Sequence, residues 1–275
     1  MQSISVTLIF PRGLMTIAKN IPDSSTLLCD VSAFTKPVII SLVGAGGKTS
    51  TLFWLAGLFC RTGARVLITT TTHMFLPASP CPVVLCRDPA QLPASRFRSP
   101  LLACFSGWDA AQHKVRGFSV QTIENLIAQQ DLDVILIEAD GARGFALKAP
   151  ALHEPCIPQS SSCVIGVTGG SLLGKPVGPE TVHRWPEFAA ITGINAGNRL
   201  DLPALRRLVQ HPMGLFKGTP SGCRRIWFIN RFSHNENHDE LLMPMLEAGE
   251  VDVIWQGAVQ EQPPVTRRLV IAAPD

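Results

Sequence analysis

The sequence predicts an α/β fold, doubly wound around a mostly parallel sheet, and three observations predict it. Short apolar runs rich in β-branched residues recur along most of the chain, with helical or loop segments between them. Hydrophobic residues make up 46% of the 275 positions and charged residues 16%, with a mean hydropathy of +0.21. That balance suits a sheet covered on both faces and argues against a disordered chain. One apolar run also leads straight into a glycine-rich loop and a helical stretch, the order in which such sheets build their ligand sites.

Taken from the N-terminus, residues 1–36 show weak periodicity and read as a weakly ordered N-terminal extension, with Met15 an alternative start. The strand series then begins with VIISLV at Val38, RVLITT at Arg65, PVVLC at Pro82 and LLACF at Leu101. It continues with VILIE at Val134, CVIGV at Cys163, RIWFIN at Arg225, VDVIW at Val251 and RLVIA at Arg268. SVQTIENLIAQQ from Ser119 has the pattern of a crossover helix, and the proline-rich stretches 77–82 and 93–100 read as surface connections.

The charge of +3, from 24 basic and 21 acidic residues, is too small to argue for nucleic acid or a membrane surface. No apolar run approaches the roughly 18 residues of a membrane span. The first residues lack a basic segment and a cleavage site, so the expected location is the cytoplasm. Eight scattered cysteines without a CxxC pair speak against a disulfide framework or structural zinc. Cys156, in the polar stretch HEPCIPQSSS, is the one placed near candidate chemistry.

The segment VIISLVGAGGKTST carries the strongest signal. Gly44, Gly46 and Gly47 let backbone N–H groups converge on phosphate oxygens, with Ala45 between them and Ser50 in the first helical turn. Lys48 supplies a mobile cation, the helix start a positive dipole end, and Thr49 a hydroxyl for Mg²⁺. Leu42 stands where the longer GxxxxGK spacing needs a glycine, so the loop has the shorter GxxGKT form, which resembles that of Mur-type ATP-dependent ligases. Residues 37–275 thus read as a single P-loop nucleotide-binding domain, similar to P-loop NTPases.

Such chemistry needs an acid at a neighbouring strand end. DVILIEAD offers Glu138 and Asp140, two residues apart and hence on one face of an extended chain; either can serve Mg²⁺ or catalysis alongside Lys48. Polar residues nearby are candidates for holding substrate: Arg143, Lys148 and His153 (with Glu154) after that strand, and Thr72 and His73 at the end of TTTTHMF. The last two approach the loop if their strand adjoins the first. LGKPVGPETVHRWPE adds Lys175, His183 and Arg184, ahead of a helix expected over 186–191. After RIWFIN, Arg231 and Ser233 replace the lysine and aspartate of a guanine-reading NKxD motif, which favours ATP without excluding GTP.

The segments VGAGGKTST, TTTTHMFLP, EADGARGFALKAPALHEP and GVTGGSLLGKPVGPETVHRWPE together resemble the YqeC family over about residues 36–260. The resemblance implies an accessory protein for selenium-dependent molybdenum hydroxylases, with a hydroxylase as partner and a molybdenum or selenium cofactor as client ligand. On this reading Mg²⁺ with ATP is the working nucleotide and slow ATP hydrolysis the expected activity. A ligase or kinase acting on a small carboxylate or hydroxyl, and a nucleotide-gated chaperone without turnover, are the alternatives.

Overall fold

The computed structural model describes residues 5–10, 13–18, 21–32, 36–75, 81–93, 95, 99–129, 132–232 and 238–271, the first two segments by their backbone. The elements begin with β1 (Ser5–Phe10), β2 (Gly13–Ala18), α1 (Ser24–Val31), β3 (Val38–Gly44) and α2 (Lys48–Arg61). Next come β4 (Val66–Thr70), β5 (His73–Phe75), β6 (Val83–Leu85), β7 (Leu101–Phe105), β8 (Gly107–Asp109) and β9 (Lys114–Arg116). The middle of the chain forms α3 (Val120–Gln129), β10 (Val134–Glu138), β11 (Leu147–Lys148), β12 (Cys163–Gly169), β13 (Val182–His183) and α4 (Trp185–Thr192). The remainder forms α5 (Leu202–Gln210), β14 (Arg224–Asn230), α6 (Asp239–Glu247), β15 (Val253–Gly257) and β16 (Val265–Val270).

Nine strands form one sheet in the order β16-β15-β14-β12-β3-β10-β4-β7-β6. Every pairing is parallel except that of β16 with β15. β3, β4, β10 and β12 are buried along their whole length, as the near-continuous apolar runs require when both faces are covered. Alternation along β3 separates the faces. Ile40 and Leu42 pack with Leu52 and Leu55 of α2, while Ile39 packs with Ile123 and Leu126 of α3. Helices therefore cover both sides of the sheet.

Two expectations change. The second strand of the series does not adjoin the first, because β10 lies between β3 and β4, in register with both. That order follows from the crossover through α3, which returns the chain to the gap between them. The stretch set aside as an extension also reaches the core at its end: Leu27 and Val31 of α1 are buried among α2 and sheet residues. Asp30, 1% exposed, accepts from Trp255 Nε1 at 2.9 Å and from Arg268 Nε at 2.7 Å. Its side chain ties α1 to the far edge of the sheet, a contact too distant in sequence for local periodicity to reveal.

Candidate functional site

The parallel strands β3, β4, β10, β12 and β14 deliver their C-terminal ends to one side of the sheet, and a cavity of about 480 Å³ opens there. Its base is the turn from Gly44 to Lys48. Gly46 and Gly47 have φ of 88° and 128°, a region costly to a residue with a Cβ. At Gly46 a Cβ would also fall 2.6 Å from Ala146 O, and at Gly47 it would collide with the amide of Asn230. The turn is held by Ala45 N–H donating to Val167 O, Gly46 N–H to Phe145 O and the Asn230 side chain to Gly46 O at 2.7 Å. At the start of α2, the N–H groups of Gly47, Lys48 and Thr49 have no acceptor among the described residues, leaving donors at the positive end of the helix.

Glu138 and Asp140 have different partners. Thr49 Oγ1 donates to Glu138 Oε2 at 2.7 Å, which places a hydroxyl and a carboxylate side by side at the loop. Burial raises the pKa of Glu138 above the usual carboxylate value, with Lys48 and the Thr49 hydrogen bond opposing it. Asp140, 1% exposed, instead accepts from Gly44 N–H at 3.0 Å and lies 3.0 Å from both Lys48 Nζ and Lys148 Nζ. Lys48 Nζ also donates to Gly44 O at 2.6 Å. Burial works against the charge on Lys48, but Asp140 and Glu138 outweigh it and raise its pKa.

The ion pairs continue across the cavity floor. Lys148, 2% exposed, donates to Gly141 O at 2.6 Å and to Glu154 Oε2 at 2.8 Å. Glu154 takes a two-pronged contact from Arg184, Nη2 to Oε1 at 3.0 Å and Nε to Oε2 at 3.2 Å. Burial alone would push the Glu154 carboxyl up; Lys148 and Arg184 overcome it and bring the pKa down to about 2. Lys48, Lys148 and Arg184 thus face Glu138, Asp140 and Glu154 in one neutral set, as charges held away from water require.

Of the residues read as substrate contacts, Thr72, His73, Arg143, His183 and Arg184 line the cavity together with Gly46 to Ser50 and Glu138. Lys148 lies beneath it, and His153 and Lys175 are exposed residues outside its lining. The short parallel pairing of β11 with β13 sets Lys148 opposite His183 and so joins two distant segments of sequence. The His183 ring stacks on Phe145 at 5.7 Å, and burial, then Arg184, Lys148 and Arg143, lower its pKa, which favours the neutral ring. Cys156 has its thiol pKa raised by burial and by Glu154 and Asp140, which disfavours the reactive thiolate.

Sequence reading missed Phe145 and assigned Asn230 only to a degenerate base-reading motif. Its amide instead clamps the glycine turn, donating to Gly46 O and accepting from Val259 N–H at 2.9 Å. A polar residue ending a strand that runs toward the cavity was the available signal. Ser233, the other residue of that motif, lies outside the described residues. No group of three or more His, Cys, Asp or Glu able to hold a metal occurs among the described residues, and none of their helices is long and apolar enough to cross a membrane.

Fold and site together define an α/β protein with a large, mostly parallel sheet and a polar cavity at its strand ends. The chain belongs to the YqeC family: the family model described as YqeC protein matches residues 40–186. It is 56% identical over 255 residues to a protein of Escherichia coli (strain K12) called uncharacterized protein YqeC, covering 92% of this chain and 99% of that one. No solved structure matches the chain.

Proposed function

We propose that the cavity binds a magnesium nucleotide, ATP in preference to GTP, in a P-loop NTPase-like arrangement. The observation that carries the reading is the 2.7 Å Thr49–Glu138 pair at a glycine turn whose helix-start N–H groups lack acceptors. A hydroxyl oxygen beside a carboxylate is a donor set suited to a hard divalent cation, so Thr49 and Glu138 fit Mg²⁺. When bound, Mg²⁺ supplies neutralisation of phosphate charge. Asp140, with its oxygens on Lys48, Lys148 and Gly44 N–H, is better suited to positioning the lysine than to holding the cation.

On this reading the N–H groups of Gly47, Lys48 and Thr49 receive phosphate oxygens. Lys48 exchanges its hold on Gly44 O for a phosphate, with Asp140 still beside it. The neutral His183 ring is available to accept a proton from an acceptor group brought to the cavity. Nucleotide turnover in this setting serves the maturation of selenium-dependent molybdenum hydroxylases, a role that rests on the family resemblance and involves a molybdenum or selenium cofactor as client. A ligase or kinase working on a small carboxylate or hydroxyl is the second reading, favoured by the open space beyond the turn.

Calorimetric titration with Mg·ATP and Mg·GTP tests the binding. Lys48→Ala is expected to weaken Mg·ATP roughly ten- to a hundredfold, from about 1.5–3 kcal/mol for a charge-assisted contact. An unchanged affinity would remove the loop from the site. Phosphate release accelerated by a molybdenum hydroxylase and its cofactor supports the accessory role, whereas release that depends on a small acceptor alone supports the ligase or kinase.

A further inference from the structure

Among described residues other than glycine, four have positive φ: His113, Arg143, Arg184 and Arg231. The three arginines all line the same cavity. Left-handed backbone costs a residue with a Cβ about 1 kcal/mol, and such positions concentrate where the strain serves a site. Arg184 follows His183 in the chain, and Arg143 lies two residues before Phe145, whose ring stacks on His183 in the lining of that cavity.

Charge makes the case stronger. Lys48, Lys148 and Arg184 are already balanced by Glu138, Asp140 and Glu154. Arg143 is exposed and has no acidic partner among the described residues, so the positive charge it brings is surplus. Arg184 is fixed by its two contacts to Glu154 while its side chain stays 25% exposed. A preorganised guanidinium, a second unpaired one and a flat Phe145–His183 stack therefore share one wall.

We infer that this wall is a second, anion-binding subsite, adjoining the glycine turn, which holds the phosphate or carboxylate group of a second substrate through Arg143 and Arg184 beside His183. It deepens the nucleotide reading and rests on it only for the identity of the neighbouring ligand. The subsite implies that the reaction partner of the nucleotide is an oxyanion-bearing small molecule. Its anchored group lies next to an imidazole that can take a proton, and Arg143 provides the affinity the balanced ion pairs cannot.

The test titrates inorganic phosphate and, separately, malonate into the full chain with the turn saturated by Mg·AMP-PNP, which fills the phosphate positions of a triphosphate. One probe is expected to bind; phosphate alone marks a phosphorylated substrate and malonate alone a carboxylate. Arg143→Gln should weaken that binding at least about tenfold, and Arg143→Lys should recover part of it. Because Arg143 is exposed and unpaired, a thermal melt is expected to show the variants folded. Failure of both probes to bind the unaltered chain, or equal binding to Arg143→Gln, overturns the subsite. If Mg·AMP-PNP itself does not bind, the nucleotide reading fails, and the same titrations without it decide the subsite by the same dependence on Arg143.

Discussion

Glu154→Gln is the most informative single change, because Glu154 joins the two halves of the ion-pair chain. The substitution keeps the side-chain shape and removes the charge that Lys148 and Arg184 face. With a folded-state pKa of about 2 against an ordinary 4.5, the carboxylate contributes about 3 kcal/mol at neutral pH. Breaking a buried ion pair by deleting one partner gives the same order, about 3–5 kcal/mol. For a chain of this size that is a fall in Tm of roughly 6–12 °C. Because the folded-state pKa is depressed, the contribution is complete above the unfolded pKa and fades as pH drops toward the folded value. Urea unfolding of both proteins should therefore show the gap narrowing by about 1.4 kcal/mol between pH 7 and pH 3.5. A gap that is absent at pH 7, or independent of pH, would refute the assignment of Glu154 as the ionised link.

Gly47→Ala combines an unfavourable φ with a collision against the Asn230 amide, so Mg·ATP binding should drop at least about tenfold while circular dichroism stays that of a folded chain. The Glu138 carboxyl has a raised pKa, so Mg²⁺-dependent nucleotide affinity should decline with acidification at a pH above the ordinary glutamate value of 4.5; calorimetry across a pH series measures it. Glu138→Gln should abolish that pH dependence and stabilise the ligand-free protein at neutral pH, since ionisation of a buried group with a raised pKa opposes folding. Asp30→Ala leaves Trp255 and Arg268 without their shared acceptor and should cost about 3 kcal/mol in urea unfolding, against no change if α1 were detachable.

All nine strands of the main sheet were legible as apolar runs: β3, β4, β10, β12 and β15, buried along their whole length, cannot be mixed with charge, and the exposed β6 and the arginine-bearing β14 and β16 still keep a short apolar run each. The helix after the turn and the crossover helix α3 were equally visible, from glycine punctuation and apolar spacing. Order within the sheet was not legible: nothing local in Arg65–Thr70 reports that β10 intervenes. The small pairings β5-β9-β8 and β11-β13 were hidden for another reason, being too short to leave a period. Residue types singled out Lys48, Thr49, Glu138 and Asp140, which the fold brings together, but spacing gave the two acids equivalent roles. Only the fold shows one beside a hydroxyl and the other between lysines. That His153 and Lys175 lie outside the cavity lining was not legible, since a loop's path is set by packing beyond its own sequence.

The bond from Asn230 to Gly46 spans 184 residues. In a chain made from its N-terminus the turn at Gly44–Lys48 emerges early, yet this contact cannot form until β14 exists, and Val259, which donates to the Asn230 oxygen, comes later still. The matched region 40–186 contains Gly46 and ends before Asn230 and Val259. Bracing of the turn is thus deferred until β14 has been made, so that a nascent or truncated chain stopping before it carries the complete glycine sequence while lacking the strut from Asn230.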